Sequence, residues 1–403
     1  MSIQLYTIAA GEPDMRHALK LAVIGSAFAS VVSPAFAESF SAHVKKLEAR
    51  AIKAGISKSI VSKATRGLKA DPSIDRLTKK QPELVKPIGG YITSRVNGRL
   101  VTTGRAKAKA NRRLAKNLKK TFGVDPNIVF AIWGMETGFG AGIGKSNVPR
   151  SLATLSWKQY RGDFFTKEFV DALRIAEAEK LDPRKMVGSW AGAMGQTQFI
   201  PSSFRKFAVD MNNNGKRDLW RETGDALAST ANFLASYGWV PSQPWGMPVS
   251  LPKSLPRDAA TRSWADWAKR GVKASGKRRF PKSGDATMFF PAGAEGPAFL
   301  ITSNYEIIRE YNSSDAYSLS AALVGDRIGG VGSFKPNWPT GKTLNKAERM
   351  KVQSRLAAKG FDVPNRTGRI IKGVRMAIRD FQRSIKVTSD GYPDQELLRQ
   401  LSR

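Results

Sequence analysis

Glu136 stands where a carboxylic acid has no structural reason to be. It falls within residues 127–140, NIVFAIWGMETGFG, a stretch that is otherwise almost entirely apolar or small. Asp125-Pro126 predicts a helix start, with the proline in the first turn where its missing N–H costs nothing. At helical spacing Val129, Ile132, Trp133, Glu136 and Gly140 share one face, on which Glu136 is the only ionisable group. Gly138-Phe139-Gly140 ends the helix and gives a ligand access to backbone. A carboxyl walled by Trp133 and aliphatic side chains loses hydration, which favours its protonated form and suits a general acid working near neutral pH. The competing reading is an acid at a helix end that points to solvent or pairs with one of the many bases.

The 403 residues suggest two to three domains. Cysteine is absent, which excludes disulfides, thiolate metal sites, cysteine nucleophiles and a lipid-modified cysteine. Of two histidines, one (His17) falls in a predicted leader, so a histidine triad or zinc site is nearly excluded. The formal charge of +33 suits a polyanionic neighbour: nucleic acid, an anionic membrane face or a bacterial cell wall.

Residues 15–37 read as a secretory signal, basic at Arg16, His17 and Lys20, then apolar, then Ala35-Phe36-Ala37 as a cleavage site. Met15 is an alternative start, because Glu12 and Asp14 are foreign to such leaders. The apolar run is too short to span a bilayer comfortably, and no later run does better. Export argues against nucleic acid as the partner. Residues 38–68 follow as a helical pattern, with Ile52, Ile56 and Ile60 recurring every four residues. Residues 104–120 carry eight bases and no acid, either a solvated helix face or a contact for an anionic polymer.

Further on, GSWAGAMGQTQFIPSSF (188–204) sets Ser189, Gln196, Gln198 and Ser202 among tight glycine turns. Neutral amides and hydroxyls there suit a sugar, whose hydroxyls both donate and accept, or simply a buried loop. In DMNNNGKRDLWRETGD (210–225), Asp210, Asn212, Asn214 and Gly215 match the start of a calcium loop, but the closing position holds Arg221. Asp225 is the residue able to close a longer loop, and the low ligand charge allows at most a weakly held structural calcium or sodium ion. Trp239, Trp245, Trp264 and Trp267 are either sugar platforms or core. YNSSDAY (311–317) precedes an alanine-rich helix, as a cap or a substrate contact. A glycine- and proline-rich linker separates a tail at 345–403, whose fourteen bases and six acids leave it at +8 with no plausible catalytic set.

Four of these motifs, IWGMETGFG, AGAMGQTQFIPSSF, AVDMNNNGKRDLW and YNSSDAY, carry a resemblance in the right order. From about Phe40 to Val331 the chain resembles the membrane-unanchored lytic murein transglycosylases of the B type, and its tail is similar to the small three-helix peptidoglycan-binding domain. The resemblance implies a mainly α protein with a lysozyme-like catalytic domain at 38–331, a linker at 332–344 and a binding domain at 345–403. It implies non-hydrolytic cleavage of the β-1,4 MurNAc–GlcNAc bond to leave 1,6-anhydromuramoyl ends, in the periplasm and without a cofactor, and nothing in the sequence demands more than a monomer. Glu136 would be acid and then base. Ser189, Gln198, Arg161, Tyr311, Asn312 and Tyr317 would contact the glycan, and Met135 would pack under a sugar ring. The chain departs from the family at Phe233 and Phe164, where relatives place tyrosine. Three other readings stay open: a hydrolytic muramidase using a second carboxyl such as Asp163, a non-catalytic wall-binding protein, and a nucleic-acid binder.

Overall fold

The computed structural model describes residues 38–78, 87–276, 278–341 and 343–403, so the leader expected at 1–37 lies outside the described residues. Among the described residues no helix is long and apolar enough to cross a membrane. The chain opens with α1 (Phe40–Lys53), α2 (Lys58–Thr65), α3 (Ile74–Thr78), α4 (Ile88–Arg95), α5 (Gly98–Ala110) and α6 (Arg112–Phe122). Side chains of Ser39, Ser57 and Asn97 accept backbone N–H groups at the starts of α1, α2 and α5.

The helix carrying Glu136, α7 (Pro126–Thr137), begins as the sequence predicts: Asp125 accepts the Asn127 N–H and Pro126 sits in the first turn. It ends at Gly138, which is left-handed at φ 61°. It differs from the expectation of one buried face, because every residue from Ile128 to Thr137 is buried. α7 is therefore central rather than amphipathic, and a helix apolar all round must be covered on all sides. α14 (Asp315–Ile328) covers it most closely, and α5, α6 and α11 (Thr223–Ser236) close other sides. The approach of α14 requires Gly325: a Cβ there would lie 2.7 Å from Ile128 Cδ1.

β1 (Ser146–Asn147) pairs with β2 (Val187–Gly188), bringing the loop after α7 to the 188–204 segment. Between them run α8 (Val148–Trp157) and α9 (Phe164–Ala178), and α10 (Pro201–Phe207) packs on α9. At that contact Glu168 is 3% exposed and its Oε2 accepts the Ser202 N–H at 2.9 Å. Burial pushes this carboxyl up to about 7 despite the hydrogen bonds. A raised folded-state pKa means its contribution is complete below about pH 4.5 and lost as pH rises through about 7. Glu168→Gln keeps the acceptor and removes the titration. Between about pH 5 and 8 the parent should lose up to about 3 kcal/mol through this group, and the variant should not. Urea unfolding at both pH values measures the difference; equal slopes in the two proteins would clear Glu168 of the effect.

A small lobe not expected from the sequence follows α11. Its strands β3 (Gly246–Ser250), β4 (Thr261–Ser263), β5 (Lys273–Ala274), β6 (Asp285–Phe289) and β7 (Ala298–Ile301) form an antiparallel sheet in the order β4-β6-β7-β3-β5. Trp264 and Trp267, both on α12 (Trp264–Lys269), are 2–3% exposed and build its core with Met247, Met288 and Leu300. Trp239 and Trp245 are buried in the main core. All four tryptophans therefore serve packing rather than a sugar platform. α13 (Ser303–Tyr311) then leads into α14.

The stretch read as a linker lies on the molecule: Phe334 packs edge-on to Phe299 at 5.4 Å, and Trp338 covers Gly89. The tail forms α15 (Lys346–Ala358), α16 (Lys372–Ser384) and α17 (Gln395–Gln400) around Val352, Leu356, Val374, Ile378 and Phe381.

Candidate functional site

Glu136 occupies the last turn of α7 and is only 7% exposed. Tyr317, on α14 and fully buried, donates its hydroxyl to Glu136 Oε1 at 2.9 Å. Burial first, and then the nearby Glu136 charge, hold the Tyr317 phenol well above its ordinary range, so it stays protonated and donates. Two other groups shape this end of the helix. Trp133 packs edge-on against Phe139 at 5.4 Å, and Lys107 from α5 lies 5.6 Å from the Trp133 ring centre. Met135 is buried beside Glu136 in sequence.

A web of neutral hydrogen bonds ties the end of α7 to the 188–204 segment. Thr137 donates to the Gln196 carbonyl at 2.5 Å and accepts the Gly140 N–H at 2.9 Å. Gln198, held at φ 57°, donates its amide to the carbonyls of Ile143 and Gly195 at 3.1 and 2.9 Å. Ser189 is 1% exposed, and its Oγ accepts the N–H groups of Ala193 and Ala191 at 2.9 and 3.3 Å. Tyr311, fully buried, donates to the Thr197 carbonyl at 2.6 Å and stacks edge-on against Phe233 at 5.0 Å. Phe233 itself lies among Phe207, Tyr237 and Phe199, which explains how a ring without a hydroxyl is accommodated there.

Of the predicted site residues, the structure joins Tyr317 to Glu136 directly and sets Ser189, Gln198 and Tyr311 in the supporting web. Asn312 caps the end of α13, its Oδ1 accepting the Ser314 N–H at 3.2 Å. Arg161 sits at φ 65° in the turn before α9, 5.8 and 5.9 Å from the rings of Tyr160 and Phe164, and burial lowers its pKa. Asp163, the candidate second carboxyl, is instead gripped by both terminal nitrogens of Arg50 at 2.6 and 2.7 Å. That fork holds the Asp163 carboxyl below its ordinary range. Sequence reading missed Thr137, although a hydroxyl beside the acid at a helix end was a visible signal. It also missed Thr197, whose part is played by a backbone carbonyl and leaves no trace in side-chain chemistry.

The calcium-like loop is closed differently from the expectation. Asp210 accepts the N–H groups of Asn214 and Gly215 at 3.1 and 2.7 Å. The amides of Asn212 and Asn214 donate to the two oxygens of Glu222, at 2.7 and 3.2 Å. Asp225, expected as the closing ligand, is fully buried and accepts the Met211 and Asp218 N–H groups, both at 2.9 Å. As folded, these three carboxylates accept from the loop's own backbone and amide donors. Among the described residues no group of three or more His, Cys, Asp or Glu is placed to hold a metal.

Comparison with known proteins matches residues 39–326 to the family described as "Transglycosylase SLT domain". The chain belongs to this family. Residues 345–401 match a peptidoglycan binding domain family. Among solved structures of this family, SltB3 from Pseudomonas aeruginosa in complex with NAG-anhNAM-pentapeptide is 36% identical, with a TM-score of 0.79 over 91% of this chain and 100% of that chain. A lytic transglycosylase of Escherichia coli in complex with calcium is 25% identical, with a TM-score of 0.61 over 71% of this chain and 92% of that chain. The membrane-bound lytic murein transglycosylase B of Escherichia coli K12 is 41% identical over 122 residues, 30% of this chain and 34% of that relative.

Proposed function

We propose that this chain is a lytic transglycosylase of peptidoglycan, acting in the periplasm, with Glu136 as its acid and then its base. The observation that carries the reading is the pairing of a buried Glu136 with the neutral Tyr317 donor, in a chain of this family. Solved relatives bind a NAG-anhNAM-pentapeptide and a NAG-NAM-pentapeptide, which supports the substrate class.

The chemistry balances without water. Glu136 in its acid form gives a proton to the glycosidic oxygen as the C1–O bond breaks, releasing the GlcNAc end with a free hydroxyl. The substrate's own acetamido oxygen stabilises the positive charge at C1. The Glu136 carboxylate then takes the proton of the C6 hydroxyl, whose oxygen bonds to C1 and closes the 1,6-anhydro ring. Tyr317 fixes one carboxyl oxygen throughout, so the acid is held in one orientation. Ser189, Gln198, Arg161, Tyr311, Asn312 and Met135 would shape the glycan groove, with Tyr311 acting through the Thr197 carbonyl it orders. The grip of Arg50 on Asp163 weighs against a second carboxyl and hence against hydrolysis. The test is the chemical form of the released ends: anhydromuramoyl products support the reading, whereas reducing ends would make the protein a muramidase.

The charge acquires a use in the same setting. Arg112, Arg113, Lys116, Lys119 and Lys120 are exposed along α6, where, among the described residues, Lys119 is the one that acts on a nearby carboxylate, that of Asp125. Peptidoglycan peptides carry free carboxylates, which such a face attracts through a salt-screened field. Replacing Arg112, Arg113, Lys116 and Lys119 by Gln should weaken retention on purified sacculi at low salt and flatten its dependence on salt. An unchanged salt curve in a pull-down would remove this face from wall binding.

A further inference from the structure

We infer that the C-terminal module is a positioning element for the catalytic acid, acting through Arg375. The inference rests on the reading of Glu136 as that acid. Arg375 projects from α16 into the corner between α13 and α14. Its Nη1 reaches both oxygens of Asp315, at 3.1 and 2.9 Å, and its Nη2 reaches Glu306 Oε1 at 3.0 Å. The other oxygen of Glu306 accepts from Arg309 at 2.9 Å. Arg309 Nε lies 2.8 Å from Asp315 as an ion pair without hydrogen-bond alignment. Tyr305, fully buried, completes the cluster by donating to Asp315 at 3.2 Å. Two cations and two anions thus balance in a corner where both arginines are nearly enclosed, with side chains 6% and 11% exposed.

The place of this cluster gives it a reach beyond docking. Asp315 is the first residue of α14, and the Tyr317 N–H donates to the N-cap Ser314 Oγ in the same turn. Tyr317 is the donor to Glu136. A single residue, Ala316, therefore separates the ion cluster from the residue that donates to the acid, along one helical turn. The module grips the same corner twice more: Arg369 donates to Ser313 at 2.9 Å, and Arg309 donates to the Ile370 carbonyl at 3.2 Å. Residues 311–317, read from sequence as a cap or a substrate contact, are also the seat of the module. Elsewhere the module meets the sheet lobe, with Ser389 donating to Asp258 at 3.0 Å and Ala294 donating to Asp390 at 2.9 Å. Those contacts hold the module without touching α14, so the two effects can be separated.

Without Arg375, Asp315 and Glu306 keep their charges with one cation fewer in a poorly hydrated corner, and the first turn of α14 shifts to rehydrate them. The test is kinetics of the full chain on a soluble glycan fragment, comparing Arg375→Met, Arg375→Lys, Tyr317→Phe and the Arg375→Met/Tyr317→Phe double variant. Arg375→Met should lower kcat about tenfold with KM within about twofold. The limb of the pH profile carried by Glu136 should move to higher pH, because a carboxylate that loses a donor holds its proton more tightly. Tyr317→Phe should move it the same way, the double variant no further than Tyr317→Phe alone, and Arg375→Lys should restore part of kcat. Asp258→Ala, which loosens only the lobe contact, should match the parent. Additive losses in the double variant, an unmoved pH profile, or an equal loss in Asp258→Ala would overturn the inference and leave Arg375 as docking alone. Should Arg375→Met not fold, the same additivity is read from Arg375→Lys with and without Tyr317→Phe. Failure of the underlying reading shows separately, as full turnover by Glu136→Gln.

Discussion

Glu136→Gln, in the full chain, is expected to lower turnover of purified sacculi by about 10³-fold or more while leaving the protein bound to them. The substitution keeps the volume of the side chain and keeps an oxygen able to accept from Tyr317, so the packing of α7 against α14 is undisturbed. What it removes is the proton that must pass first to the leaving oxygen and then back from the C6 hydroxyl. Both steps use the same group, which is why the loss is near complete. Mass spectrometry of the muropeptides released by the parent should show products lighter than reducing muropeptides by one water, and these should vanish in the variant. Reducing ends in the parent would direct the search to a second carboxyl. Retention of both proteins with release by neither would leave a wall-binding protein.

The second large effect is expected from a glycine. Gly144 sits at φ 97°, and a Cβ there would lie 2.0 Å from the Gly188 carbonyl oxygen and 2.8 Å from the Ser189 nitrogen. Both neighbours are backbone, so neither can rotate away. Gly144→Ala should cost about 3 kcal/mol or more, adding a backbone clash to a conformation that alanine resists. The surviving folded fraction should also be slow, because the preceding carbonyl, Ile143, receives the Gln198 amide. Gly138→Ala is the comparison: it is also left-handed, at φ 61°, but has nothing within 4 Å of the new Cβ. It should cost only about 1 kcal/mol. Chemical denaturation of the two variants side by side decides the matter, and equal losses would show that conformation alone, not the contact with residues 188–189, makes Gly144 necessary.

Legibility of the fold followed the range of the interactions involved. The ends of α7 were readable because Asp125, Pro126 and Gly138 act within one turn of themselves. The full burial of that helix was not, since it depends on α14, which is distant in sequence. The sheet lobe escaped for two reasons. Its strands are two to five residues long, and β3 carries Pro248 in the interior of the sheet, where proline ordinarily argues against a strand. Trp264 and Trp267 were consequently left between two readings until a core existed for them to join. The loop at 210–225 was legible as an Asx-rich turn, but Glu222 takes the closing place expected of Asp225, because the start of α11 turns Asp225 inward. In the candidate site, Glu136 stood out by its surroundings alone. Asp315 did not, since its partner Arg375 comes from a separate unit of the chain.

The bond between Tyr317 and Glu136 joins positions 181 residues apart. Contacts of such separation carry a large loop-closure cost and depend on intervening segments having found their places. A nascent or truncated chain that ends before α14 can wind the Glu136 helix but cannot supply the phenol that completes it. The Tyr317–Glu136 pair thereby exists only once the chain has been made through α14, and on the proposed reading synthesis itself acts as a safety catch on the lytic centre.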